Sequence, residues 1–213
     1  MTESYPLTPP QENKADLRRR LVKARQAIPP QVWRQKSDRI CAHLLNWDYF
    51  RRCRVILAYT SFRQEPDLSP LTEHHPHWGL PRCVEQVLHW HYWSRQGPWP
   101  LQPGAYGILE PHPQSPRVDI NLVDLILVPA VACDVRGYRL GYGAGYYDRL
   151  LSSSPWRAIP TLGVVFEYAR LPSLPQDSWD LPLGGVCSES GLFLGDGRPR
   201  DDSRPGQRAR TVG

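Results

Sequence analysis

No Cys-x-x-Cys pair occurs in the 213 residues, nor a GK[ST] tripeptide, nor an apolar run approaching the length of a membrane span. The first absence excludes a zinc ribbon and a disulfide framework. Cys41, Cys53, Cys83, Cys133 and Cys187 are scattered and odd in number, so reduced, mostly buried thiols are expected. The second absence removes a Walker A phosphate loop. The third, with an N-terminal "MTESYPLTPPQENK" that has no signal-peptide h-region, points to a soluble cytoplasmic protein. The net charge of +5 comes without a recognition helix or an RNA-binding aromatic signature. Anionic small molecules are therefore the expected partners, with neither nucleic acid nor membrane. Internal repeats are missing as well.

What is present describes an ordinary globular chain, with 40% hydrophobic and 22% charged residues. Residues 1–13 carry three prolines and read as a flexible leader, and 195–213 have no apolar periodicity and read as a disordered tail. A single domain is expected over 14–194. Leu17, Leu21, Ala24 and Ile28 form a helical stripe stopped by Pro29-Pro30, and a second helix is predicted over 31–45. "VILAYTSF" (55–62), "WGLPR", "QVLHWHYW" (86–93), "TLGVVF" (161–166) and "GGVCSES" read as strands. "LVDLILVPAVAC" (122–133), the most hydrophobic segment, is the expected central strand. Strands alternating with helices imply a three-layer α/β/α fold with a mostly parallel sheet.

Residues 137–151, "GYRLGYGAGYYDRLL", carry the chemistry. Gly141, Gly143 and Gly145 permit close backbone approach to a ligand, Arg139 offers a fork to phosphate, and "YYDRLL" opens a helix. Asp148 would repel a bare phosphate, but fits if a magnesium ion lies between them. A dinucleotide fingerprint would use Gly141 and Gly143, with Glu167 on the ribose, but Tyr146 stands at its third glycine. Tight-loop glycines with no ligand are the simplest alternative, and Arg139 and Asp148 argue against it.

"DLILVPAVACDVRGYRLGYGAGYYDRLL" closely resembles the signature of the 5-formyltetrahydrofolate cyclo-ligase family, with the spacing from Asp134 to Asp148 kept. "KADLR", "EPD", Leu80-Pro81-Arg82, "GILEP" and "WDLPLGGVCSES" agree with further family segments in chain order. The resemblance implies a fold similar to that of ribose-5-phosphate isomerase A and CoA transferases. It implies ATP-dependent closure of 5-formyltetrahydrofolate, or its polyglutamates, to 5,10-methenyltetrahydrofolate by a monomer, with Mg2+ as cofactor.

The same resemblance assigns roles. Arg139 and Asp148 would be catalytic. Lys14, Arg18, Arg139, Leu140, Gly141, Tyr142, Gly143, Ala144, Gly145, Tyr146 and Tyr147 would hold ATP. Thr60, Glu65, Tyr106, Tyr142, Gly143, Gly145 and Tyr146 would line the folate site, and Asp148 and Asp180 would ligate magnesium. Without it, Lys14 and Arg18 read as a solvated helix face, Asp180 as a turn residue, and Glu65 equally as a helix cap. The chain departs from the family at Tyr142, where Arg is frequent, at Trp179, where His is frequent, and at Leu68 and Cys133. Trp90, Tyr92 and Trp93 read as packing residues. The histidines of "HHPH" (74–77) read as loop residues without a carboxylate partner. Two other functions compete: a non-catalytic nucleotide or folate binder, and a phosphosugar or CoA enzyme on the related fold.

Overall fold

A computed structural model describes residues 13–74 and 77–195. The leader before Asn13, His75 and Pro76 of the histidine tract, and the tail after Gly195 lie outside the described residues. The chain runs through α1 (Lys14–Gln26), α2 (Pro30–Leu45), α3 (Asp48–Arg52), β1 (Val55–Leu57), β2 (Trp78–Val84) and β3 (Val87–Trp93). Next come β4 (Gln102–Pro103), β5 (Leu109–Glu110), β6 (Val123–Pro129), β7 (Ala132–Asp134), β8 (Arg139–Leu140) and α4 (Tyr146–Ser152). The described chain ends with β9 (Thr161–Val164), β10 (Arg170–Leu171), β11 (Gly185–Ser188) and β12 (Gly191–Leu194).

Local chemistry sets the helix ends. Asn13 caps α1, its side chain accepting from the N–H groups of Ala15 and Asp16 at 3.0 Å each. Pro30 begins α2, where a missing N–H costs nothing. The short α3 was not foreseen from the sequence.

Seven strands form one sheet in the order β12-β11-β9-β6-β1-β2-β3. The five inner strands are parallel, and the two edge strands, β3 and β12, run antiparallel. Helices cover both faces, so the layers are α/β/α, as expected. Along β6 the side chains alternate between two cores. Ile126 and Val128 join Leu17 and Leu21 of α1 and Leu150 and Leu151 of α4. Leu125 and Leu127 join Ile40 and Leu44 of α2 and Phe50 of α3. A strand buried on both faces reads as a continuous apolar run, which is why 122–133 looked like a single strand.

That expectation needs correcting. The run breaks after Pro129, and β7 belongs to a separate three-stranded sheet with β8 and β10. The Val131 N–H turns to the Leu140 carbonyl at 2.8 Å, and β7 pairs antiparallel with β8. The break brings Arg139 back beside the end of β6. "VILAYTSF" likewise supplies only a three-residue strand, and its remainder forms a loop.

Candidate active site

A cavity of about 440 Å³ opens beyond the carboxyl ends of β1 and β6, where ligands bind in sheets of this kind. Its walls come from three places: the loop after β1, the pair β2 and β3 with the 104–110 turn, and the 139–148 segment. Thr60, Glu65, Tyr106, Arg139, Asp148 and the run 141–147 all line it. Leu140 lies beneath, buried in the core.

Glu65 is the most constrained of these. Its carbonyl accepts from Ser61 Oγ (2.7 Å) and from Trp33 Nε1 (3.0 Å), and its N–H donates to the Phe62 carbonyl (3.0 Å). The residue is 3% exposed. Oε2 accepts from the Phe62 N–H (3.1 Å), while Oε1 is buried with no hydrogen-bond partner among the described residues. Burial pushes its pKa up to about 7, against the opposing pull of Arg25, the Phe62 N–H and Tyr142. The neighbouring carboxylate, Asp67, accepts from the Ser69 N–H at 3.0 Å and pairs with Arg34 at 2.6 Å.

The glycine segment is held by cations from two elements. Arg18 Nε donates to the Gly141 carbonyl at 2.7 Å. Arg139, on β8, pairs with Asp148 and lies with its guanidinium carbon 5.5 Å from the Tyr147 ring centroid. The Arg139 side chain is 8% exposed and that of Asp148 is 54% exposed. Gly143 has φ +98° and Gly145 φ +71°, conformations that favour glycine. Helix α4 is only seven residues long, and Gly145 stands at its N-cap. The Tyr147 hydroxyl is a second buried polar atom with no partner in the cavity wall. Tyr106, exposed and at φ 60°, meets Tyr146 edge to face at 6.4 Å, and the Thr60 hydroxyl donates to the Leu109 carbonyl at 2.7 Å.

Lys14 and Asp180 lie outside the cavity lining but meet each other. Lys14 Nζ donates to Asp180 at 2.7 Å and to Asp177 at 2.6 Å. Burial opposes the charge on Asp180, but the bonds from Lys14 and the Asp177 N–H hold its carboxyl below the usual range, and Arg139 adds to the effect. Asp148 and Asp180 are each paired with a cation, Arg139 and Lys14 respectively. Among the described residues no three His, Cys, Asp or Glu side chains cluster closely enough to hold a metal ion. Magnesium does not require such a cluster, since one or two carboxylates and substrate phosphates suffice. The half-exposed Asp148 carboxylate at the cavity wall fits that mode.

Two residues escaped the sequence reading. Arg25, given no role from the sequence, is 3% exposed and reaches the Tyr142 hydroxyl. Glu110, within "GILEP", is buried in the cavity wall and accepts from the Cys83 N–H at 3.0 Å. Arg25 continues the four-residue spacing of the buried Leu17 and Leu21, a signal the charge obscured, whereas no periodicity marks Glu110. Cys133 is no nucleophile: it is fully buried, and burial pushes its thiol up to about 12. All five cysteines are free, as expected. Among the described residues no helix is long and apolar enough to cross a membrane.

The cavity combines a glycine loop held by arginines with an enclosed carboxylate. A 5-formyltetrahydrofolate cyclo-ligase of Haemophilus influenzae is 27% identical over 178 residues, covering 81% of this chain and 95% of the relative. An enzyme of the same name from Escherichia coli is 27% identical over 186 residues, covering 79% and 96%. The solved structure of Aquifex aeolicus 5,10-methenyltetrahydrofolate synthetase superposes with a TM-score of 0.74 at 28% identity, covering 94% of this chain and 99% of that one. The family profile spans residues 10–189, which takes in both cavity loops and helix α1, so the chain belongs to the 5-formyltetrahydrofolate cyclo-ligase family.

Proposed function

We propose that this chain catalyses the ATP- and magnesium-dependent cyclisation of 5-formyltetrahydrofolate, or its polyglutamates, to 5,10-methenyltetrahydrofolate, acting as a cytoplasmic monomer with one domain over 14–194. The observation that carries the reading is the unpartnered Glu65 Oε1, enclosed in the same cavity as the glycine loop. A buried carboxylate oxygen without a donor calls for an N–H group from a ligand, and the polar edge of a pterin presents such groups.

The chemistry follows from the poor leaving ability of an amide oxygen. The N5-formyl oxygen attacks the γ-phosphorus of ATP, the bridging P–O bond breaks, and ADP departs. N10 then attacks the activated formyl carbon and loses its proton, and phosphate leaves with the former formyl oxygen. Such a reaction rests on positioning and on charge neutralisation. Lys14 and Arg18 on α1 and Arg139 on β8 supply cations for the triphosphate, and the 140–147 backbone approaches it. Thr60, Tyr106, Tyr142 and Tyr146 enclose the folate beside Glu65. Asp148, with Asp180 as a second carboxylate, would hold magnesium, which would neutralise charge on the phosphate oxygens.

Purified protein given ATP, magnesium and 5-formyltetrahydrofolate should develop the near-ultraviolet absorbance of the methenyl product. Arg139→Ala and Asp148→Ala should each slow turnover by about a hundredfold or more. Folded protein that binds both substrates yet forms no product would be a non-catalytic binder, and the proposal would fall.

A further inference from the structure

Helix α1 meets the segments around the cavity three times. Lys14 meets Asp177 and Asp180, Arg18 meets the Gly141 carbonyl, and Arg25, two turns beyond Arg18 and so on the same face, meets Tyr142. The last contact belongs to none of the roles given so far. Arg25 is buried, and its guanidinium makes three directed hydrogen bonds. Nε donates to the Arg63 carbonyl (3.0 Å), Nη1 to the Ala130 carbonyl (3.2 Å) and Nη2 to the Tyr142 hydroxyl. One side chain thereby ties the Glu65 loop, the turn that ends β6 and the glycine segment to one another.

All three acceptors are neutral oxygens, so these bonds leave the guanidinium charge uncompensated. The anion that feels it is the buried carboxylate of Glu65. The groups facing Glu65 from the other elements are Tyr59, Tyr142, Tyr147 and Arg139. Burial raises the three tyrosines well above their ordinary range, so they stay neutral and supply no charge. Arg139 is paired with Asp148. Between the two arginines that act on Glu65, Arg25 exerts the larger pull.

We infer that Arg25 is the positioning residue of the folate half of the site: it fixes the Glu65 loop, the turn after β6 and Tyr142 relative to one another and brings a positive charge to bear on the Glu65 carboxylate. The inference rests on the function proposed above and adds a residue to it.

The test separates charge from geometry. Folate binding is measured by titration without ATP between pH 5.5 and 8.5, and steady-state constants are measured for both substrates. The wild type should bind 5-formyltetrahydrofolate more tightly as Glu65 ionises. Arg25→Met should raise the folate KM by roughly tenfold or more, leave the ATP KM within about twofold, and move the pH limb of folate binding upward by about one unit. Arg25→Lys should raise KM while keeping the limb nearer that of the wild type, and Tyr142→Phe should raise KM without moving the limb. If Arg25→Met does not fold, the other two variants decide the matter. An unmoved limb in Arg25→Met, or equal losses for both substrates, would make Arg25 a packing residue and overturn the inference. A wild type that neither binds nor cyclises the folate would overturn the proposed function instead.

Discussion

Glu65 condenses the physical problem of this site into one side chain. Its backbone is fixed from both sides, and its carboxyl is walled in with one oxygen unpaired. Between the ordinary value of 4.5 and the folded value of about 7, the folded state holds the extra proton, so stability falls as pH rises through that window. Glu65→Gln removes this dependence. The variant should gain on the wild type by on the order of 3 kcal/mol between pH 4.5 and pH 8, at about 1.4 kcal/mol for each tenfold. Urea melts of both proteins at the two pH values check this, and a constant difference would show that the carboxyl is not perturbed. The sequence offered Glu65 as a candidate only through the "EPD" segment. What made it informative, its burial and its missing partner, depends on Trp33, Ser61 and Arg25, which are distant or unremarkable in the chain.

At the scale of elements, α1 and the glycine segment work as a pair. The sequence showed the α1 stripe of Leu17 and Leu21 and the glycine spacing. It left open whether Lys14 and Arg18 faced solvent or the site, because a charged helical face looks the same in both cases. The structure turns Arg18 onto Gly141. Gly143 matters through its backbone: at φ +98° a Cβ would find Arg18 no nearer than 3.7 Å, so space is not the obstacle. Gly143→Ala should cost roughly 1–2 kcal/mol in left-handed strain. It should also lower kcat/KM for ATP about tenfold as the loop relaxes away from its ligand-facing shape. Thermal melts and ATP-dependent kinetics together test this, and unchanged values in both would show that the loop tolerates a side chain.

For the whole molecule, the central strand divides two cores and ends at the cavity. Leu127 is fully buried on the α2 side, away from the cleft. Leu127→Ala should cost about 2–5 kcal/mol and lower Tm by roughly 5–15 °C, with kcat/KM kept at temperatures well below the melt. A matching loss of activity at low temperature would mean that the two layers are coupled more tightly than packing alone requires. Because both faces of the sheet are covered, the strand pattern in the sequence lost its alternation, and the break at Pro129 was hidden inside an apolar run.

The amino-acid sequence determined the class of fold, the two long helices and the glycine segment. Each depends on contacts within a few residues: a helical stripe, a cap, or a glycine that can take a positive φ. It also carried the family resemblance in "DLILVPAVACDVRGYRLGYGAGYYDRLL". Only the tertiary structure decided which charges meet. Arg25 on Tyr142, Lys14 on Asp180 and Arg139 on Asp148 join residues that no local pattern relates. Burial, which sets the protonation of Glu65, is a property of everything packed around a residue rather than of the residue itself.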